Sequence, residues 1–341
     1  MDFDACEKPL FSVGIPAYNS VEYLPKCLES VSSQTLQKFE LIIVDDGSTD
    51  ATGLLCDKFA HSHNWVVVLH KNNEGPLLAR RDIAKTAQGK YVVFLDADDC
   101  LRKDALEICA AIIQRHSPDI LAFDYSTHED FSNPMPGTKL NPGFFAGPQL
   151  QKVRESVCKG EMNNVCFKAI RLALFDQDED YSEYVGFKHG EDLFQFLPVI
   201  NMAQSFFYIN ECLYYYRRSD SSETCRFSHN QLHDLHTVSE RMEEYGNIWG
   251  MHNEAKQGII MQYCYLLNIL GADKSLSRKQ REDVFQNIRR DLLKTLDSVD
   301  SSKYGFNLPL VVDAVAKGKY KKASMLLDIG SLLKIMSNRL L

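Results

Sequence analysis

Val92-Val93-Phe94-Leu95-Asp96-Ala97-Asp98-Asp99 is an apolar run that ends in three carboxylates within four residues. A buried strand that delivers Asp-x-Asp to its carboxyl end gathers negative charge at one point. Carboxylates that close raise one another's pKa unless a cation lies between them. A hard divalent ion such as Mg²⁺ or Mn²⁺ takes oxygen ligands and bridges to phosphates. The stretch therefore reads as a metal–diphosphate site at a strand end. It reads equally as a helix N-cap, with Asp98 or Asp99 capping a helix that starts near Leu101.

Outward from this stretch, strands and helices alternate. Apolar runs predict strands at 10–15, 40–44, 65–69, 91–95 and 120–125, and helical spacing predicts helices at 24–31, 52–61, 77–88 and 103–115. Pro25 places the start of the first helix near itself, because a proline is tolerated only in the opening turn. Repeated βα units predict an α/β fold, Rossmann-like, with a doubly wound, mostly parallel sheet. Its strands are continuous apolar runs because helices cover both faces, and ligands bind such sheets at the strands' carboxyl ends.

The pattern then changes. Residues 126–149 hold Pro134, Pro136 and Pro142 with Gly137, Gly143 and Gly147, which predicts a loop or an edge hairpin. From 150 to 225 short helices alternate with aromatic-rich pieces, and from about 229 the period is helical almost throughout. The expected division is one domain over 1–226, with halves of about 10–125 and 126–226, followed by a helical C-terminal region over 227–341.

The chain has 341 residues and a net charge of −8, the wrong sign for a nucleic-acid surface. Its ten cysteines are scattered and form no Cys-x-x-Cys pair, so they read as reduced thiols of a cytoplasmic protein. Asp2, Asp4 and Glu7 give the amino terminus the wrong charge for a signal peptide. The charge-poor stretches 193–210 and 257–272 are too polar or too short to span a membrane and read as buried helices.

Three strand ends are rich in polar residues: Pro16-Ala17-Tyr18-Asn19, Asp45-Asp46-Gly47-Ser48-Thr49-Asp50 and Asp96-Ala97-Asp98-Asp99. In this architecture they meet along one edge. Asp46 can accept a hydrogen bond from a base imide, Tyr18 can stack on a nucleobase, and Asp98 can hold a cation against a diphosphate. Ser48 or Thr49 is expected to cap the next helix. A calcium loop is disfavoured, since position 12 counted from Asp45 is Cys56 rather than Glu.

These residues, in this order and spacing, resemble the family-2 glycosyltransferases of GT-A fold. The resemblance is carried by Ser12-Val13-Gly14-Ile15-Pro16-Ala17-Tyr18-Asn19, Phe39-Glu40-Leu41-Ile42-Ile43-Val44-Asp45-Asp46-Gly47-Ser48-Thr49-Asp50, Ala79-Arg80, Ala87-Gln88-Gly89-Lys90-Tyr91 and Phe94-Leu95-Asp96-Ala97-Asp98-Asp99. It implies an enzyme that moves a sugar from a nucleotide-sugar donor, commonly a UDP-sugar. Residues 10–125 become its nucleotide half and 126–226 its acceptor half. Pro16 and Tyr18 would line the nucleoside pocket, and Asp46 would bind the uracil edge. Asp96 would lie at the ribose, Asp98 would ligate Mn²⁺ or Mg²⁺, and Arg80 would neutralise diphosphate. Arg81 stands where the family has Asn, which leaves that segment's detailed role open.

Downstream, Asn164-Val165-Cys166-Phe167-Lys168 and Gly190-Glu191-Asp192-Leu193 resemble the family's elements around the acceptor. Asp192 would then be the general base of an inverting transfer and Glu191 an acceptor contact. The chemistry needs a carboxylate opposite the leaving diphosphate, with a pKa suited to proton transfer. Asp192 also reads as a helix N-cap. Tyr214-Tyr215-Tyr216 read as packing, while Arg217 or Arg218 could reach the diphosphate.

The implied acceptor is a glycan or a lipid-linked glycan in bacterial surface polysaccharide assembly. The stretch 317–341 is basic and amphipathic; it can lie on the inner face of an anionic membrane or pack as an ordinary helix. Two rival readings are a nucleotidyltransferase and a non-catalytic relic of the fold. Pro16-Ala17-Tyr18-Asn19 lacks the Gly-rich loop of the first, and the intact Asp-x-Asp and Glu-Asp speak against the second.

Overall fold

The apolar runs become strands of one sheet. The computed structural model describes residues 8–175, 180–218, 227–228, 230–273, 275–297 and 310–327. The chain divides into two units, Met1–Ser156 with Met162–Arg218, and Val157–Glu161 with Ser219–Leu341. The boundary expected near 226 falls outside the described residues.

In the first unit, β1 (Phe11–Ala17), β2 (Phe39–Asp45), β3 (Val66–His70) and β4 (Tyr91–Phe94) lie in the order β3-β2-β1-β4, all parallel. They are joined by α1 (Leu24–Ser32), α2 (Thr52–His61) and α3 (Pro76–Thr86). Phe11, Val13 and Ile15 of β1 and Leu41, Ile42, Ile43 and Val44 of β2 are all buried, as strands covered on both faces must be. Pro25 and Pro76 sit in the first turns of α1 and α3, where no N–H is needed. Gly14 lets α3 lie directly on β1: a Cβ there would stand 2.3 Å from Cγ2 of Ile83.

The second half of the sheet keeps the parallel direction but interleaves antiparallel strands. After β5 (Cys100–Leu101) and α4 (Ala105–His116), β6 (Ile120–Ser126) forms where predicted but does not join β4. β8 (Lys168–Arg171) lies between them, antiparallel to both. Four residues long and carrying Lys168 and Arg171, it shows neither an apolar run nor an alternation in sequence. β9 (Ser205–Tyr215) then runs parallel to β6, with β5 and β7 (Gly143–Ala146) antiparallel on it. The nine-stranded sheet is thus parallel in one half and mixed in the other. α5 (Leu150–Cys158) follows β7. The stretch 193–210 is not one buried helix. It belongs to α6 (Glu191–Met202) and then to β9, whose Phe206-Phe207-Tyr208-Ile209 has the aromatic and β-branched character of a strand.

The second unit is helical: α7 (Asn230–Trp249), α8 (His252–Ala272), α9 (Arg278–Asp297), α10 (Leu310–Ala316) and helical residues 320–327. α8 packs against α7, α9 and α10. Met242, Ile259, Leu267, Phe285, Ile288 and Val312 fill the core. The stretch 257–272 lies in α8, as expected. No helix among the described residues is long and apolar enough to cross a membrane. Of the basic carboxyl-terminal stretch, Met325 is exposed and Leu327 buried, and residues 328–341 lie outside the described residues.

Candidate active site

The ends of β1 and β2 are laced together by side chains. Asn19, in a left-handed conformation (φ 47°), accepts from the Thr49 amide at 2.8 Å and donates its own amide to Ser48 Oγ at 3.0 Å. Pro16 is paired with Val44 in the sheet, and Tyr18 beyond it is 42% exposed. Neither Ser48 nor Thr49 caps α2; the Thr52 amide is met by Asp50 Oδ1 at 2.9 Å.

The two adjacent aspartates have different partners. Asp45 accepts from the Ser48 amide at 3.1 Å and meets His70 Nδ1 at 2.9 Å, while His70 Nε2 lies 3.0 Å from Asp57 Oδ1. The two carboxylates, Asp57 foremost, raise the pKa of His70. Asp46 accepts from the amides of Glu74 at 2.9 Å and Gly75 at 2.8 Å, just ahead of α3. Burial raises its pKa and the two amides oppose the rise. A carboxylate has about four acceptor positions, so Asp46 can still take one further donor.

The helix-cap reading of Asp98 and Asp99 fails, because β5 follows them and α4 starts only at Ala105. Instead the three aspartates divide. Asp99 is buried; Tyr214 donates its hydroxyl to Oδ2 at 2.7 Å and Arg217 its amide to Oδ1 at 2.8 Å. The same Tyr214 hydroxyl accepts from the Asp96 amide at 3.2 Å. Burial first, then the charges of Asp96 and Asp98, push Asp99 well above the usual carboxylate range. Asp98, partly exposed, pairs with Arg217 Nη2 at 2.9 Å, and that guanidinium lies 3.6 Å over the Tyr23 ring. Burial and Asp96 raise the pKa of Asp98 while Arg217 lowers it.

Arg80 joins the strand end to α6. Its buried guanidinium lies 2.8 Å from Asp96 Oδ1, 2.9 Å from Asp192 Oδ1 and 3.5 Å from Glu191 Oε1. The contact to Asp192 is an ion pair without hydrogen-bond alignment, so that oxygen lies buried with no hydrogen-bond donor. Gly190 (φ 84°) is the N-cap of α6, which removes the N-cap reading of Asp192. Glu191 and Asp192 occupy the first helical turn, where the helix dipole favours negative charge. Burial, then the neighbouring Asp192, pushes Glu191 up to about 8 despite Arg80. Burial also raises Asp192 against the pull of Arg80.

The turn before β8 completes the site. The Cys166 thiol lies 3.6 Å from Asp96 Oδ2. Lys168, buried under Phe196, donates to Asn164 O at 2.7 Å, Asn164 Oδ1 at 2.8 Å and Cys166 O at 3.3 Å. Burial lowers its pKa to about 8. Arg81 stacks on the Tyr181 ring at 4.3 Å.

Asp96, Arg80, Glu191 and Asp192 are therefore brought together, with Asp98 beside Asp96 and Asp46 at the head of α3. Arg80, whose diphosphate role the resemblance implies, pairs here with Asp96, Asp192 and Glu191, and Arg217 is a cation that reaches Asp98. Tyr214, Tyr23 and Cys166 carried no sequence signal for these contacts. Tyr214 reaches Asp99 only through its pairing with Leu101, a register no local pattern reveals.

No group of three or more His, Cys, Asp or Glu among the described residues is arranged to hold a metal unaided. Mg²⁺-type ions do not need such a cage, since one or two carboxylates plus substrate phosphates suffice. Asp98, whose Oδ1 meets no other residue's donor among the described residues, fits that donor set; Asp99, with both oxygens taken, does not.

Residues 12–176 match the family model described as glycosyl transferase family 2. Glycosyltransferase GlyG of Streptococcus pneumoniae is 29% identical over 231 residues, 62% of this chain and 72% of GlyG. The poly(ribitol-phosphate) beta-N-acetylglucosaminyltransferase TarS of Staphylococcus aureus is 40% identical over 114 residues, 33% of this chain but only 20% of TarS. The crystal structure of TarS 1–349 with UDP-GlcNAc superposes with a TM-score of 0.58 at 20% identity, covering 93% of this chain and 90% of that one. A Pyrobaculum calidifontis mannosyltransferase, solved with GDP-Man and Mn²⁺, gives 0.51 at 13% identity, covering 95% and 88%. At these identities the structural likenesses carry the fold alone.

Proposed function

We propose, for a chain that belongs to the family-2 glycosyltransferases and has their GT-A fold, that it transfers a sugar from a UDP-sugar to a hydroxyl of a glycan or lipid-linked acceptor, with inversion. The observation that carries this reading is the single guanidinium of Arg80 between Asp96 and Asp192. It places a donor-side strand end and a half-buried carboxylate, whose Oδ1 meets no hydrogen-bond donor among the described residues, at one point.

In this reading residues 1–226 form the catalytic part, 10–125 for the nucleotide and 126–226 for the acceptor. Tyr18 and Pro16 flank the nucleobase, Asp46 takes its imide N–H, and Asp96 faces the ribose. Asp192 accepts the acceptor hydroxyl's proton as that oxygen attacks C1, and Glu191 contacts the acceptor. The pKa of Asp192, raised by burial, suits it to hold a proton in transfer. Arg217, at Asp98, lies where it can offset charge on the leaving diphosphate. A divalent cation held by Asp98 and the diphosphate supplies Lewis-acid charge neutralisation when bound. The complexes of TarS with UDP and UDP-GlcNAc favour a uridine donor. The eight free, buried cysteines among the described residues fit a reducing compartment. Contact of 317–341 with an anionic membrane is part of the proposal, tested by vesicle flotation with and without that segment; equal flotation removes it.

The test of the reaction is UDP release from a panel of UDP-sugars, with Asp192→Asn beside the parent. The substitution keeps shape and removes the proton acceptor, so kcat should fall by about 10²–10⁴-fold while UDP-sugar binding persists. A kcat within a few-fold of the parent would remove Asp192 from the role of base. Failure of every UDP-sugar to bind would remove the donor class, and release of pyrophosphate instead of UDP would favour a nucleotidyltransferase.

A further inference from the structure

The opposite end of the same sheet holds a cavity of about 1100 Å³. It opens at the amino ends of β1 and β4, beside Leu10 and Gly89–Lys90. Arg171 ends the antiparallel β8 at the same edge, in register with Tyr91. Backbone bonds from the Lys90 amide to Pro9 O (3.1 Å) and from the Leu172 amide to Lys90 O (3.0 Å) fasten this rim.

Lys8, Lys38, Lys85, Lys90 and Arg171 line the cavity, and no carboxylate is among the described residues lining it; Asp180 lies near enough to Lys85 for their charges to interact. That concentration of positive charge occurs in a chain whose net charge is −8. Arg171 is engaged by Asp119 at 2.7 Å. Lys8, Lys85 and Lys90 are exposed and form no ion pair among the described residues. Glu40, near the rim, is turned to the amides of Gln88 and Gly89, at 2.6 and 3.0 Å. Below the lysines the floor is apolar, with Leu10, Ala84, Leu172 and Phe175.

We propose that this groove seats the headgroup of an anionic phospholipid and docks the catalytic unit on a phosphate-bearing membrane surface. Flexible lysines above an apolar floor suit an amphiphile: the ammonium heads meet phosphate while their stems and the floor meet the first chain carbons. A free phosphate would favour a tight nest of buried donors, which exposed lysines do not provide. The seven residues of β1 hold the carboxylate site on the order of 20 Å from this edge. Docking here thus leaves that site open to the solution.

The experiment is flotation of the full chain with phosphatidylglycerol/phosphatidylcholine vesicles and with phosphatidylcholine alone, for the parent and the triple variant Lys8→Gln/Lys85→Gln/Lys90→Gln. The parent should float only with the anionic vesicles. Each lysine removed should weaken the association about fivefold, on the order of a hundredfold for three, with UDP affinity and melting temperature unchanged. Equal flotation of variant and parent overturns the proposal, as does flotation on pure phosphatidylcholine. Inorganic polyphosphate binding to the parent without any vesicle binding also overturns it, by making the groove a site for soluble anions. So does anionic-vesicle binding that appears only after removal of residues 1–7.

Discussion

The two ends of one sheet carry opposite charge and manage it in opposite ways. At the carboxyl end Asp46 and Asp99 are buried and Glu191 and Asp192 half-buried, and each meets a backbone amide, a hydroxyl or a guanidinium. At the amino end Lys8, Lys85 and Lys90 stand in solvent with no ion pair among the described residues. Buried charges bind one another into a unit, because removing one leaves the others desolvated and unbalanced. Exposed charges act singly and are screened. Substitutions at the carboxyl end should therefore be large and non-additive, and those at the amino end small and additive.

Arg80→Ala should produce the largest effect. It leaves Asp96, Asp192 and Glu191 around a buried space with no cation, which is expected to lower stability by about 3–5 kcal/mol. Urea unfolding measures this. A loss under about 1 kcal/mol would mean that the cluster is not held by the guanidinium. Combining Arg80→Ala with Asp192→Asn should destabilise less than the sum of the two, since one partner's removal relieves the other.

Glu191 offers a test by pH. It ordinarily ionises near 4.5 and is pushed up to about 8 here. Between those values the folded chain keeps a proton that the unfolded chain has released. Its stabilising contribution is full below about 4.5 and is lost as pH rises through about 8. The melting temperature of the parent should fall from pH 5 to pH 8, and that of Glu191→Gln should fall less. Parallel curves would show that the carboxyl group is not the source of the slope.

These two predictions rest on contacts of unequal legibility. The parallel half of the sheet could be read because its strands are continuous apolar runs, and Pro25 marked the start of α1. The three strand ends could be read as one edge because parallel βα units bring them there. What could not be read depends on registers between distant segments. Asp45 and Asp46 are chemically alike, and only the placement of His70 and of the 74–75 amides assigns them different partners. Asp99 meets Tyr214 across 115 residues and Asp98 meets Arg217 across 119, at the end of and just after a β9 whose first residues had read as helix. Arg80 could be named but not its partners, because α3 must first lie flat on Gly14 to aim it.

Tyr214→Phe should have an intermediate effect. It removes one hydroxyl that serves both the Asp99 carboxylate and the Asp96 amide, with no change in ring packing. Leaving a buried carboxylate oxygen without its donor is expected to cost about 1–3 kcal/mol, measurable by thermal unfolding. UDP affinity should also fall, as the Asp96–Asp98 turn loosens. An unchanged melting temperature would mean that Asp99 is protonated and needs no donor there.

The smallest effects belong to the amino end, and their smallness is the sharper test. Lys85→Gln and Lys90→Gln each remove an exposed charge with no ion-pair partner among the described residues, so each should shift stability by no more than about 0.5 kcal/mol. The double variant should equal the sum within about 0.3–0.5 kcal/mol. Removing like charges that share a rim relieves mutual repulsion, so the direction should be toward slight stabilisation at low salt, vanishing as salt screens the rim. Chemical unfolding at low and at moderate ionic strength checks both the sign and the additivity. A loss above about 1 kcal/mol, or strong coupling between the two lysines, would mean that the amino end is an internally paired structure like the carboxyl end and not an open cationic rim.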